Sequence, residues 1–422
     1  MTGPTVLRGI TWDHVRGLAG LEATAAAYQA VRPDVRVEWV TRSLQAFADQ
    51  PVDQLARRFD LIYLDHPAVG EAVARACLVP LDEHLDRSTL AVQATGSVGR
   101  SAESYVWEGH RWALATDAAA QVAAYRPDLL ERAGVAVPRT WPEALDAAAA
   151  LRRAGLWAAM AAIPVDAVCA FLAVCAALGE TPFFTGQVVT RRIGRSALGL
   201  LRALVGRCHP SSLDWNPPRL LEHMSTAGDV AWCPLAFGYA NYARPGFRDH
   251  PVLAAPPPAG GDGVPRGTLG GAGLAVSAHS AAVAEAVAYA AYVANPVVQR
   301  TVYFKAGGQP GHRSAWTDEA VNAAASGFFR DTLGALDAAL LRPRHDGFLA
   351  FQEAAGDLVH AHLRDGGDPD RVLAALDAAY SDSQAPPMPA WLRSKRGPRF
   401  MNAVSSWHWR ATAVLRRLTS IR

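Results

Sequence analysis

The chain of 422 residues is short of the features that most directly announce a chemistry. Its five cysteines, Cys77, Cys169, Cys175, Cys208 and Cys233, are odd in number and show no CxxC or CxxH spacing. That fits neither a disulfide framework nor a zinc motif, and a reducing compartment suits them best. Charged residues make up only 19%, and 41 basic against 39 acidic side chains leave no global field that would draw the protein to nucleic acid. The longest nearly uncharged apolar stretch, Ala167 to Gly179, is shorter than the roughly 20 residues that cross a bilayer, so it predicts a buried helix and no transmembrane segment. The opening MTGPTVLRGITWDH carries no charged n-region, apolar h-region and cleavage site, which as written predicts a cytoplasmic protein. Repeats of solenoid or propeller period, a GxxxxGKS phosphate loop, a nucleophile elbow, an HExxH pair and a helix-turn-helix are all missing. No cofactor, metal or nucleic-acid partner is therefore expected.

What is present is an ordinary folding composition, half hydrophobic, with 35 Gly and 28 Pro scattered without a period and length enough for two packed domains. Charge is uneven. The segment Pro386–Arg422 holds Arg393, Lys395, Arg396, Arg399, Arg410, Arg416, Arg417 and Arg422 and no acid, so the preceding 385 residues have 33 basic against 39 acidic side chains. This tail also carries an apolar stripe at Val404, Trp407, Ala411 and Leu418, which suits docking to a membrane surface or a protein, or simply a basic extension.

The first third alternates apolar runs with helical stretches: Val6 to Trp12, a helix over about Leu18–Val31, Val35 to Val40, a helical region to Arg58, then Asp60 to Asp65. That rhythm predicts an α/β fold with a parallel sheet and crossover helices. The strands end in Trp12-Asp13-His14, Thr41-Arg42-Ser43 and Asp65-His66, and ligands of open α/β sheets bind beyond the carboxyl ends of the strands. A carboxylate and an imidazole can bond adjacent hydroxyls of a polyol while an indole stacks on the apolar face of a sugar ring. The same groups could instead be helix caps and core. Arg42, beside two Asp residues, is either a fork for an anionic ligand or a buried salt-bridge partner.

Further on, a hairpin is expected from Ser104–Trp107 through Glu108-Gly109 to Arg111–Thr116, then a strand Gln121–Tyr125 and a helix Pro127–Ala133. Thr140-Trp141-Pro142-Glu143 reads as a capping box with Thr140 and Glu143 each bonding the other's amide. Strands are expected at Asp229–Pro234 and Thr268–Ala278, and helices at Ala281–Val293, Pro296–Phe304, Gly347–Leu363 and Pro369–Tyr380. Trp232, Tyr239 and Tyr242 would form a wall opposite the first strand ends, whereas Gly270, Gly271 and Gly273 suit close backbone approach.

The order of these segments resembles the sugar-type extracellular solute-binding proteins of bacterial ABC importers. The carriers are DLIYLDHPAVGEA, YVWEGHRWALATDAAAQVAAYRPDLLERAG, TWPEALD, GTLGGAGLAVS and NPVVQRTVYFKAGGQPGHRSA, spread over about residues 5–380. The resemblance implies a two-lobed type II periplasmic-binding fold with crossing hinge strands. A first α/β lobe would comprise residues 1–116 and 267–310, a second residues 117–266 and 311–385, and a basic extension residues 386–422. It implies a small polar ligand, a carbohydrate or polyol, held between lobes that close on it, with an ABC permease as partner and residence in the periplasm or at the cell surface. On the resemblance, Asp117 lies at a ligand or hinge position, and Gln309 and His312 in a loop at the cleft rim. The candidate ligand residues are thus Trp12, Asp13, His14, Arg42, Asp65, His66, Asp117, Trp232, Tyr239, Gly271, Gln309 and His312. The alternative is a cytoplasmic enzyme on the same fold, using His14, Asp65 and His66 as acid and base.

Overall fold

A computed structural model describes residues 3–184 and 186–385. The basic tail, with its expected docking helix, lies outside them.

The opening rhythm folds as its pattern dictates. β1 (Thr5–Trp12) leads into a helix Val15–Val31, then β2 (Val35–Arg42), two short helices and β3 (Leu61–Leu64), with β1 parallel to both neighbours. The helix starts three residues before its expected position, because His14 serves as its N-cap and accepts from the Arg16 amide. β4 (Val106–Trp107) and β5 (His110–Arg111) form the hairpin, with Glu108 and Gly109 at φ of 51° and 85° in its turn. Its second arm stops sooner than the sequence suggested. β6 (Leu114–Tyr125) is one strand of 12 residues that absorbs both the end of that arm and the separate strand expected after it. Asp117 and Gln121 interrupt its apolar run in sequence, yet both are buried and bonded inside the fold.

β7 (Trp157–Ala158), β8 (Val230–Phe237), β9 (Leu253–Ala255) and β10 (Leu269–Val276) complete a sheet of order β2-β1-β3-β10-β6-β8-β7, with β9 against β6. The first residues of β6, Leu114–Ala120, pair with β10, and the last, Gln121–Tyr125, with β8 and β9. β6 is thus the crossing strand between the two parts of the sheet, and the two largest buried clusters lie on either side of it. One core packs Leu7, Leu21, Leu61, Tyr63, Leu274 and Tyr289; the other packs Trp141, Phe171, Leu201, Trp232, Phe351 and Leu376.

The second core is built on the apolar run noted in the sequence. It forms a helix Pro164–Ala177 whose residues from Asp166 onward are all buried, packed against a helix Phe348–Asp365. Removing one large ring there, as in Phe171→Ala, should cost about 3–5 kcal/mol. The Thr140 hydroxyl accepts from the Glu143 amide at 3.4 Å, but the Glu143 carboxylate takes the Arg139 amide at 2.8 Å instead of that of Thr140. The capping box is shifted by one residue.

Candidate functional site

A cavity of about 800 Å³ lies where the strand ends of the first sheet half meet the segments following β8 and the helix Pro164–Ala177. Its walls come from distant parts of the chain. The first half supplies Trp12, Arg16, Phe47 and Asp65; β6 and β10 supply Asp117, Gly270 and Gly271; the second half supplies Asp166, Phe237, Tyr239, Arg342 and Glu353.

The aromatic side is ordered by stacking. Trp12 lies on Tyr63 with ring planes 12° apart and centroids 5.6 Å apart, and tilts against Phe47 at 5.0 Å. Its indole N–H is buried without a partner among the described residues, beside the cavity. Tyr239 carries the Arg16 guanidinium 4.6 Å over its ring, a cation–π contact that fixes both.

Two ion pairs, each with a buried arginine, hold the polar side. Arg16 donates to Asp117 through Nε at 2.9 Å and through a second arm, and to the Gly238 carbonyl at 2.9 Å. Burial alone would lower Arg16, but the Asp117 carboxylate more than reverses this and keeps the guanidinium charged. Burial pushes Asp117 upward against the pull of Arg16. Across the cavity, Arg342 donates to Asp65 at 2.7 Å and to Gln352 at 2.7 Å. Burial would raise the Asp65 carboxyl, yet Arg342 and His66 hold it well below the usual carboxylate range.

Asp166 stands apart. It is 4% exposed, lines the cavity from the first turn of its helix, and has no hydrogen-bond partner among the described residues. Burial pushes its carboxyl up to about 8, opposed only by Arg342. At neutral pH it is mainly a protonated acid, able to donate to or accept from a ligand hydroxyl.

Of the sequence candidates, Trp12, Asp65, Asp117, Tyr239 and Gly271 line the cavity. The others take different places. Asp13 is exposed beyond the wall. His14 caps its helix and packs edge-on to Tyr239 at 4.8 Å, with burial bringing its pKa down to about 4. Arg42 does not line the cavity and makes no salt bridge among the described residues: it donates to the carbonyls of Ala46 and Tyr63 and lies over Phe47. His66 is wholly buried against Asp65, and burial lowers it to about 4. Trp232 is fully buried in the second core, away from the wall. Gln309 is a buried crosslink, donating to the Ala118 and Gly238 carbonyls and accepting from the Ala240 amide. His312 caps a short helix and packs on Gly96. Of the groups an enzyme reading would use, only Asp65 faces the cavity, and its carboxylate is already committed.

Sequence reasoning missed Arg16, Phe47, Asp166, Phe237 and Arg342. Asp166 had a signal, a lone acid at the start of an otherwise apolar helix. The Arg342–Asp65 pair joins residues 277 apart and had none.

The model for the bacterial extracellular solute-binding protein family matches residues 23–326, more than half of the chain, and the protein belongs to that family. Solved structures with the same architecture include maltose-bound MalE3 of T. maritima, with 19% identity, a TM-score of 0.76, and coverage of 90% of this chain and 99% of that one. A ribitol complex of an ABC transporter solute-binding protein from Agrobacterium radiobacter K84 has 20% identity and a TM-score of 0.76, covering 90% and 98%. The GacH receptor of Streptomyces glaucescens, solved unliganded and with acarbose, has 20% identity and a TM-score of 0.74, covering 90% and 99%. No curated protein matches the chain by sequence. The fold is the two-lobed type II periplasmic-binding fold, with β6 and β10 as crossing strands.

Proposed function

We propose that the protein binds a polyhydroxylated solute, a carbohydrate or polyol, between its lobes and delivers it to an ABC-type permease from the periplasm or cell surface. The observation that carries this is the cavity itself, where the aromatic side chains of Trp12, Phe47 and Tyr239 line the same space as the Asp166 carboxyl, unpaired among the described residues, and the ion-paired carboxylates of Asp65 and Asp117, whose remaining lone pairs can still accept from hydroxyls. Rings cover the C–H faces of a sugar, and carboxyls take its hydroxyls. The family and the sugars and polyols named in the related structures support the same class. A volume of about 800 Å³ suits a ligand of a few rings. The walls come from both sides of the crossing strands, so a ligand that touches both favours the closed state, the signal a permease would read.

The test is a thermal-shift screen of sugars and polyols, with amino acids and carboxylates alongside. A ligand at a hundred times its Kd stabilises the folded state by about 2.7 kcal/mol, a shift of a few degrees. A sugar or polyol hit whose affinity falls in Trp12→Ala supports the reading. A hit confined to carboxylates would overturn it.

A further inference from the structure

Outside the cavity, His209, His223 and Asp229 bring one ligand atom each within 4.8 Å of one another. All three are half-buried, and they come from different elements: His209 precedes a turn at Pro210–Leu213, His223 sits on the helix Pro217–Thr226, and Asp229 immediately precedes β8. Nε2 of His223 lies 2.8 Å from Asp229 Oδ1 and Nε2 of His209 lies 3.6 Å from Oδ2, so both imidazoles present the same nitrogen to one carboxylate. The rings are held in place by aromatic contacts. Trp215 stacks on His209 with planes 12° apart and centroids 4.6 Å apart, and lies 4.7 Å from His223; Trp157 closes the other side of His209 edge-on at 5.7 Å.

We propose that these three side chains bind one divalent transition-metal ion, with Zn²⁺ the best fit. Two imidazoles and a carboxylate form a borderline nitrogen and oxygen donor set, suited to a tetrahedral ion that takes water in its fourth position. Calcium and magnesium, which require oxygen ligands, are disfavoured.

The position gives the ion a consequence. The segment between the two histidines carries Asp214, Asn216, Pro217 and Arg219, all on the cavity wall, and the Trp215 carbonyl accepts from the amides of Ala162 and Ile163 just before the helix of Asp166. A metal bonded to His209 and His223 staples both ends of that wall segment. The Ser211 amide now donates to Nδ1 of His209 at 3.2 Å. Metal on Nε2 leaves the ring's proton on Nδ1, so this long bond is exchanged for the metal bond and the turn at Pro210 adjusts. The site therefore reports to one wall of the cavity without contacting a ligand there. The cluster at His110, Asp82 and Glu83 has a single imidazole and serves as its control.

The test is calorimetry of the full chain, stripped with a chelator and titrated with Zn²⁺ alone, followed by Co²⁺ titration read in the visible spectrum. One ion per chain and intense tetrahedral Co²⁺ bands are expected. His223→Ala and the near-isosteric Asp229→Asn should each weaken Zn²⁺ at least tenfold, and His110→Ala should leave it unchanged. Absence of Zn²⁺ uptake, or uptake that both His223→Ala and Asp229→Asn leave intact, would overturn the proposal. Asp229→Asn keeps the test decisive should His223→Ala fail to fold.

Discussion

Arg16 and Asp117, 101 residues apart in the chain, form a doubly bonded and nearly water-free ion pair at the floor of the cavity. One partner sits in the first turn of the helix after β1, the other in the crossing strand, so the pair ties the cavity-facing end of the first sheet half to β6. Its energetics follow from burial. Removing only the carboxylate, as in Asp117→Ala, leaves a guanidinium stranded out of water and should cost about 3–5 kcal/mol. The double variant Arg16→Met with Asp117→Ala should lose clearly less than the sum of the single losses. Urea unfolding of the four proteins measures the coupling, and additive losses would show that the pair does not act as a unit.

Much of this arrangement was legible in the sequence, and the reason is local. Apolar runs ending in polar clusters placed Trp12 and Asp65 at strand ends, where the parallel register of β1, β2 and β3 brings them to one side. Where a residue's role depends on a distant partner, local pattern was silent or misleading. Arg42 looked poised between two acids, but the chain turns at Ser43 and directs its guanidinium to the carbonyls of Ala46 and Tyr63. Trp232 lies at mid-strand in β8, with Phe237 five residues on at the strand's end, so the aromatic that reaches the cavity is Phe237. The sequence reading opens a new strand at Gln121 because Asp117 looks like a strand breaker until Arg16 is seen to satisfy it.

Asp166 makes the unliganded protein sensitive to pH. In the unfolded chain its carboxyl ionises near 3.8, and in the folded chain near 8. Between these values the folded state holds the additional proton, so stability falls as pH rises through this window and levels off above about 8. Asn carries no such proton. Asp166→Asn should match the parent near pH 4 and exceed it at pH 8 by roughly 4–5 kcal/mol, as thermal unfolding at the two pH values would show. An equal effect at both would mean that the gain does not come from the charge.

The same carboxyl predicts a proton signature on binding. A ligand whose hydroxyls donate to Asp166 favours the carboxylate and displaces its proton below pH 8, so affinity should rise between pH 6 and 8. Calorimetry in buffers of different ionisation enthalpy counts the released protons. Asp166→Asn should abolish the release, and a persistent release in that variant would assign it to another group.

Gly271 should tolerate no side chain. Its φ is 98°, and a Cβ there would lie 2.5 Å from the Asp117 carbonyl oxygen and 2.8 Å from the Ala118 Cα, both backbone atoms with little room to move. Gly271→Ala therefore strains the β6–β10 pairing at the crossing point, and a loss of about 1–3 kcal/mol is expected. Gly261→Ala, in open space, is the control and should change stability by less than about 0.5 kcal/mol in urea unfolding.

Trp12 and its neighbour Asp13 separate the cavity wall from the polar cluster that the sequence grouped with it. Trp12 is 3% exposed and lines the cavity, whereas Asp13 faces solvent outside it. For any sugar or polyol found to bind, Trp12→Ala removes a stacking face and should weaken affinity by roughly tenfold to a hundredfold, an effect of about 1–3 kcal/mol. Trp12→Phe, which keeps a ring against Tyr63 and Phe47 but no N–H, should recover part of that loss. Asp13→Asn should leave Kd within about twofold, since its carboxylate is outside the wall and solvent screens it. Calorimetric titration of the three variants decides the matter: a large loss in Asp13→Asn with Trp12→Ala unchanged would place the ligand outside the cavity, over the exposed end of β1.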